Sequence, residues 1–371
     1  GRPMPPDRPP LANFASISGA GGVERMLVNL IRGFLDLGQA VDLVLVKAEG
    51  PHLERLPREV RQVRLAAGHT QLAVPTLAHY LRTRRPPALL AAKDRAGRAA
   101  VLARALAGTA TPIVLRLGTH LSTAMAGQSA ARRWLRVIPI RLLYPRVERI
   151  VAVSEGVAED TARLARLPRR AITVIRNPVI TPELPRQAAE PCPHPWLQGG
   201  EIPVILAAGR LQRQKDFPTL IRAFARLRAD RPCRLLILGE GRGREEGLIR
   251  GLGLGDAVGL PGHQANPYPF LARASLFVLS SAWEGSPNVL TEALALGVPV
   301  VSTDCPSGPR EILEGGRFGP LVPVGDDAAL AKAMAETLGH PLPAETLRAA
   351  VSAYEQGRSA RRYLEVLGLD R

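Results

Sequence analysis

The passage from Ala274 to Val301 admits few folds. Ala274-Ser275-Leu276-Phe277-Val278-Leu279-Ser280 is a short apolar run with a β-branched and an aromatic residue, which reads as a buried strand. Gly285 and Pro287 break it into a loop, and a helix begins near Asn288 with an Asn or Ser cap. Gly297 closes the helix, and Pro299-Val300-Val301 opens another strand. Strand, loop, helix and strand in that order belong to an open parallel sheet, where ligands sit outside the carboxyl ends of the strands.

Two acids bracket this loop, Glu284 within it and Glu292 in the first turns of the helix. A carboxylate accepts two hydrogen bonds at once, a shape suited to a vicinal diol such as a ribose or a pyranose presents. Between them, the amino end of the helix offers unpaired backbone N–H groups and partial positive charge, which suit a phosphate. Two diol readers beside a phosphate site describe a nucleotide sugar. Taken alone, a solvated pair of helix-surface carboxylates reads the same way.

A chain of 371 residues accommodates two ordinary domains. No apolar run approaches the ~18 residues of a membrane span, and Gly1 to Pro10 lacks the apolar core of a signal peptide. Cys192, Cys233 and Cys305 are widely spaced and follow no metal-ligand pattern, as expected of a reduced cytosol. Arginine is abundant and lysine scarce, a compositional bias, yet the net charge of +16 is unevenly placed. Residues 1–180 hold 28 basic against 12 acidic side chains, while residues 181–371 hold 21 of each. A uniform bias does not do this. An anionic partner of the first half explains it (a phospholipid surface, a polyprenyl phosphate or nucleic acid), and so does a solvated basic face.

In chain order, Leu11 to Ile17 reads as a first strand and Ser18-Gly19-Ala20-Gly21-Gly22 as its exit turn. A helix follows with Val23, Met26, Leu27, Leu30, Ile31, Phe34 and Leu35 on one face, Gly38 ends it, and Ala40 to Val46 is the next strand. This opens a doubly wound domain, with glycines placed so that backbone can approach a phosphate or simply turn tightly. Residues 51–111 resist parsing. Ile113 to Leu117 is a strand, and His120 just past it is either a ligand to a sugar hydroxyl or an ordinary loop residue. From Ala130 to Tyr144, arginines Arg132, Arg133, Arg136 and Arg141 interleave with Trp134, Tyr144 and branched aliphatics. That is the composition of an interfacial element, and equally of a half-buried helix whose arginines reach out to water. Arg149 to Ser154 and Ile172 to Ile175 are strands, with a helix capped by Ser154 between them.

Prolines at 178, 182, 185, 191, 193 and 195 mark a linker. A second α/β domain starts at Pro203 to Ala208, whose exit loop carries Arg210 and Lys215, a flat fork and a point charge suited to a pyrophosphate or to a solvated loop. Arg234 to Leu238 leads into Gly239-Glu240-Gly241-Arg242-Gly243, against which a base or ribose can lie, and Val258 to His263 follows. Helical segments are expected at roughly residues 326–338 and 344–367. No Asp-x-Asp occurs, so a metal bridging a pyrophosphate has no obvious acidic anchor.

At these residues the chain resembles glycosyltransferase family 4, the retaining nucleotide-sugar transferases of the GT-B fold. Ser18 to Glu24, Gly209 to Lys215, Gly239 to Gly243, Leu260 to Pro269, Trp283 to Glu292 and Ser302 to Leu313 carry the likeness, above all the Glu, seven residues, Glu spacing of Glu284 and Glu292. The stretch from Asn266 through Pro309 is most similar to the subgroup that extends lipid-linked glycans with N-acetylhexosamine or hexose. The resemblance implies two Rossmann-like doubly wound domains facing across a cleft: residues 1–180, a linker over 181–200, and residues 201–356, with a helix near 357–371 returning to the first domain. It implies that Arg210 and Lys215 neutralise the diphosphate, Glu292 holds the ribose and Glu284 touches the donor sugar. Gly285, Ser286, Pro287, Asn288, Val289 and Leu290 would line sugar and phosphates, Gly239, Glu240, Gly262 and His263 the nucleoside. Gly21 and Gly22 would meet the β-phosphate, and His120 the sugar near its reacting face. Arg132, Arg133, Trp134, Arg136 and Arg141 would face the acceptor or membrane.

The expectation is a metal-independent transferase using a UDP-sugar, cytoplasmic and peripheral on the inner face of the plasma membrane, with a lipid-linked or polysaccharide acceptor and no nucleic acid. Three rivals remain. A glycoside hydrolase needs the paired acids but has no use for Arg210 and Lys215. A phosphorylase or epimerase of the same fold would act on soluble sugars, and a nucleic-acid-binding protein would account for the charge without any recognised module.

Overall fold

The structure is a computed structural model describing residues 9–18, 22–49, 53–65, 68–241 and 243–370. Two compact units divide it, Gly1–Val179 with Ala353–Arg371, and Ile180–Ser352.

The first unit runs β1 (Leu11–Ser18), α1 (Gly22–Asp36), β2 (Val41–Glu49), β3 (Arg61–Arg64), α2 (Val74–Arg84), β4 (Leu89–Ala92), α3 (Asp94–Ala107), β5 (Ile113–Leu117), α4 (Leu121–Ala124), α5 (Ala130–Leu143), β6 (Arg149–Ala152), α6 (Glu155–Ala165) and β7 (Ile172–Val174). Its strands form one parallel sheet in the order β3-β2-β1-β4-β5-β6-β7. Both faces are covered, as an all-parallel sheet requires. Ala12, Phe14, Leu89, Ala91, Ile113 and Leu115 join one apolar cluster with residues of α2, α3 and α6. Their neighbours Leu11, Ala15, Leu43, Leu90 and Val114 join the other, which contains Leu27, Leu30, Ile31 and Phe34 of α1. The two-residue alternation of a strand thus sorts side chains to two cores at once.

β4 explains why residues 51–111 are opaque in sequence. Its Leu-Leu-Ala-Ala has no β-branched or aromatic residue and is recognisable as a strand only from its position between β1 and β5. The sheet's direction of growth reverses between β1 and β4, which makes their carboxyl ends the crevice of this unit.

The second unit opens with α7 (Leu184–Ala188) and continues through β8 (Val204–Ala208), α8 (Phe217–Asp230), β9 (Arg234–Leu238), α9 (Arg244–Gly251), β10 (Val258–Gly262), α10 (Tyr268–Arg273), β11 (Leu276–Leu279), α11 (Asn288–Ala295), β12 (Val300–Thr303), α12 (Pro309–Ile312), β13 (Leu321–Val322), α13 (Asp327–Gly339) and α14 (Ala344–Ala349). Its parallel order is β10-β9-β8-β11-β12-β13, reversing between β8 and β11.

Two sequence expectations change here. The proline-rich stretch over 181–200 is packed into the second unit and does not act as a spacer. Arg273 donates to Ala188 O at 3.1 Å and to Glu190 O at 3.0 Å, Asn266 donates to Gln187 O at 3.0 Å, and the Arg234 guanidinium lies 5.1 Å from the Trp196 ring centroid. Proline removes backbone donors, so side chains from α10 and its approach supply the bonds instead. The helical stretch over 344–367 is broken: α14 packs on α11 in the second unit, whereas α15 (Gln356–Val366) packs on α1 in the first. Tyr363 meets Phe34 edge-on with centroids 6.5 Å apart, and polar side chains fix the return. Gln356 donates to Asn29 O at 2.7 Å, the Ser359 hydroxyl to Arg176 O at 2.7 Å, and buried Arg116 of β5 to Asn177 Oδ1 at 2.7 Å. No helix among the described residues is long and apolar enough to cross a membrane.

Candidate functional site

The reversal of the second sheet puts the exit loops of β8 and β11 side by side, and the chain stitches them together. Ala282 N–H donates to Gln214 O at 2.8 Å, Gln214 Nε2 to Trp283 O at 3.0 Å, and the Ser280 hydroxyl to Lys215 O at 2.7 Å. These bonds aim two charged side chains at each other. Lys215 Nζ lies 2.6 Å from Glu284 Oε1, which also accepts from the Ser281 hydroxyl at 2.7 Å. With side-chain exposures of 20% and 8% the pair is largely withdrawn from water. A buried pair is weak evidence for stability, because desolvation cancels much of the attraction, so its retention calls for another reason.

The β9 exit loop closes in on the same place. Gly239 has φ +150°, and a Cβ there would stand 1.8 Å from Gly209 O. Only glycine permits that approach, which brings Leu211 N–H to Glu240 O at 2.9 Å and Gly209 N–H to Leu238 O at 2.8 Å. Arg210, Glu240 and His263 are exposed around this loop pair, with Gly262 just before His263.

On the other side, α11 starts at Asn288 with Pro287 as the N-cap and no side-chain cap bond, so the expected Asn or Ser cap is replaced by a proline turn. Its amino-terminal N–H groups therefore receive no cap from the preceding residue's side chain. Gly285, Ser286 and Val289 are half-buried, Leu290 is buried in the core, and Glu292 is 1% exposed. Behind the loop, Gly308 (φ +75°) passes so close that a Cβ would lie 2.6 Å from Pro287 Cδ. The Ser307 hydroxyl donates to Gly285 O at 3.1 Å, and that of Thr303 to Ser281 O at 2.7 Å. Burial, and then the neighbouring Glu284 carboxylate, push the Cys305 thiol up to about 12. Sequence reading missed Ser281, Thr303, Cys305 and Ser307. Thr303, Cys305 and Ser307 lie in the Ser302 to Leu313 segment that carries the resemblance, without a role of their own there, and Ser281 shows only as a hydroxyl at the end of an apolar strand.

In the first unit Gly22 begins α1, while Gly21 lies outside the described residues. His120 caps α4 at the carboxyl end of β5. Its Nδ1 is 2.8 Å from Thr123 Oγ1 and 3.8 Å from Oδ2 of buried Asp160. Helix α5 packs through Val137 and Ile140 and leaves Trp134, Leu135 and Leu142 exposed at 57, 73 and 64%, with Arg132 and Arg133 exposed beside them. Arg141 does not point freely outward. It donates to Leu164 O at 3.1 Å and its guanidinium lies 5.5 Å from the Trp134 ring centroid. Sequence reading also missed Lys93 and Asp94, at the carboxyl end of β4.

Solved structures define the class. A glycosyltransferase from Rickettsia africae superposes with a TM-score of 0.79 at 17% identity, covering 97% of this chain and 98% of its own. Anabaena HepE, solved with UDP and glucose, superposes with a TM-score of 0.72 at 20% identity, covering 97% and 96%. At such identities the likeness shows the GT-B fold. The family follows from two sequence models, "Glycosyltransferase Family 4" over residues 20–183 and "Glycosyl transferases group 1" over residues 202–340. The chain belongs to the family 4 glycosyltransferases. Among curated relatives, the N-acetylgalactosamine-N,N'-diacetylbacillosaminyl-diphospho-undecaprenol 4-alpha-N-acetylgalactosaminyltransferase of Campylobacter jejuni is 35% identical over 193 residues, 52% of this chain and 51% of the relative. The lipopolysaccharide core biosynthesis glycosyltransferase LpsE of Rhizobium meliloti is 35% identical over 199 residues, 53% and 56% of the two chains. The chain thus spans about half the length of the curated relatives it matches.

Proposed function

We propose that this chain is a retaining transferase. It moves a hexose or N-acetylhexosamine from a UDP-sugar to a lipid-linked or polysaccharide acceptor, working peripherally at the inner face of the plasma membrane. The Lys215–Glu284 contact at the reversal of the second sheet carries the reading, because it sets a cation and a diol-reading carboxylate at the place where such sheets bind ligands. In this reading Lys215 and Arg210 take up the diphosphate charge and Glu292 holds the ribose diol. Glu284 holds hydroxyls of the transferred sugar, and the backbone from Gly285 to Leu290 lies along sugar and phosphates. Gly239, Glu240, Gly262 and His263 border the nucleoside. The reading assigns Gly21 and Gly22 to the β-phosphate and His120 to the sugar, through Nε2 since its Nδ1 is occupied by Thr123.

The bond from the anomeric carbon to the β-phosphate oxygen breaks with its electron pair going to the phosphate. The acceptor hydroxyl oxygen bonds to the same face of that carbon, and its proton passes to the departing phosphate. Two cations on the β8 exit loop would stabilise that charge without a metal. The acceptor proposal is supported by the diphospho-undecaprenol in a relative's name, by the basic excess of residues 1–180 and by the apolar, arginine-flanked face of α5.

The deciding experiment is a thermal-shift screen of UDP-, GDP- and ADP-sugars with EDTA present, followed by NMR of the product linkage. UDP-sugars should raise Tm most, and an α-donor should give an α-product. Absence of any shift with every sugar nucleotide sinks the donor proposal, and a β-product sinks retention. Flotation with anionic vesicles should be lost when Arg132, Arg133 and Arg136 become Glu; unchanged flotation removes α5 from the membrane proposal.

A further inference from the structure

Lys93 is held in a backbone conformation that glycine adopts and lysine avoids, with φ +80° and ψ 162°. The surroundings hold it there. Its N–H donates to Arg116 O of β5 at 3.0 Å, and its carbonyl accepts from Gly97 N–H of α3 at 3.1 Å. The next residue, buried Asp94, accepts from the Tyr144 hydroxyl at 2.6 Å and lies 3.1 Å from Arg98. A glycine here would relieve the backbone and keep every one of these main-chain bonds, yet the chain places a lysine.

The place is the crevice where the first sheet reverses, at the carboxyl end of β4 beside β1. The choice of cation is unusual too. Of the 49 basic residues only Lys47, Lys93, Lys215 and Lys332 are lysines. Two of those four stand at the reversal points of the two sheets, each facing a glutamate. Lys215 meets Glu284 in the second unit, and Lys93 Nζ lies 3.7 Å from Glu24 Oε1 in the first turn of α1. Glu24 is 7% exposed and Lys93 49%. At 3.7 Å the contact with Glu24 is an ion pair longer than a hydrogen bond, so it leaves the donors of the ammonium for a ligand in the crevice.

We propose that Lys93, tethered by Glu24, binds a phosphate group of the substrate seated at the first unit's crevice. This rests on the transferase reading above. The phosphate belongs either to a diphosphate-linked acceptor or to the donor, and kinetics separates the two.

Three variants test it in the full chain: Lys93→Gly, Lys93→Met and Lys93→Arg. Lys93→Gly frees the backbone but takes the cation from buried Glu24, so it should still melt as a folded protein and should raise the KM for one phosphate-bearing substrate about ten-fold. Lys93→Met should show the same KM change, and Lys93→Arg should recover most of it. A rise confined to the acceptor, and absent for an acceptor lacking its diphosphate, puts the phosphate on the acceptor; a rise confined to the donor puts it there. An active wild type whose Gly and Met variants keep both KM values within two-fold overturns the role of Lys93 alone. A wild type that transfers no sugar overturns the reading on which it rests.

Discussion

Lys215 and Glu284 share one charge contact, and the consequence of removing either follows from which partner is left behind. Lys215→Met leaves a nearly buried carboxylate with only the Ser281 hydroxyl, and such truncations cost about 3–5 kcal/mol. Glu284→Gln keeps the shape and a neutral acceptor, so stability should fall less while transfer falls by about 100-fold or more. Urea melts beside kcat/KM for both variants check this; equal stability losses would mean the pair is structural. Cys305 gives a pH prediction. Its thiol ionises near 12 in the folded chain and near its ordinary value once unfolded, so the unfolded state sheds the proton first. Its contribution to stability is therefore complete below the ordinary thiol range and is lost as pH rises toward 12. Iodoacetamide at pH 8 should leave Cys305 unmodified in the native protein and label it in urea, which mass spectrometry reads directly.

Glu284 and Glu292 stand out in sequence because strand, loop and helix are contiguous there, although the pair taken alone reads equally as solvated helix-surface carboxylates. Lys93 was not legible. Its meaning depends on β4 lying beside β1, a neighbour relation between segments some 70 positions apart that no local pattern encodes.

Among the elements, the two exit loops of β8 and β9 depend on glycine in a way that fixes the outcome of one substitution. Gly239→Ala would drive a methyl into Gly209 O, a backbone atom that cannot rotate away. The variant should lose at least about 3 kcal/mol and any nucleotide-induced thermal shift, because the displaced loop carries Arg210 and Lys215. Ala substituted at Gly247, with nothing near its Cβ direction and a helical backbone, should be neutral or stabilising and serves as the control. The helices and strands built on strong apolar periodicity, such as α1, β5 and β8, were readable from sequence. β4 stays unparsed in sequence because alanine hides a buried strand, whereas the 181–200 segment reads as a linker because proline suggests a spacer where side-chain donors in fact hold the chain down. Trp134, Leu135 and Leu142 of α5 are more than half exposed, and the vesicle flotation described above is the measurement that separates the two sequence readings of that stretch.

At the scale of the molecule, α15 completes the first unit from the far end of the chain. Tyr363 is 1% exposed against α1, so Tyr363→Ala should cost about 3–5 kcal/mol. The loss should be confined: hydrogen exchange should quicken in β1, α1 and β5, which share the α15 core cluster, and stay slow in β8 to β12, which have a core cluster of their own. Quickening across both units would show that the two do not unfold as separate bodies.

That same return sets an order of events during synthesis. The second unit is one unbroken stretch and can close as soon as Ser352 has left the ribosome, whereas the side of α1 that meets α15, at Asn29, Gly33 and Phe34, stays uncovered until translation has passed Val366. The half translated first is therefore the half that matures last, and nascent chains stalled before Gln356 should yield a protease-resistant second unit attached to a digestible first one.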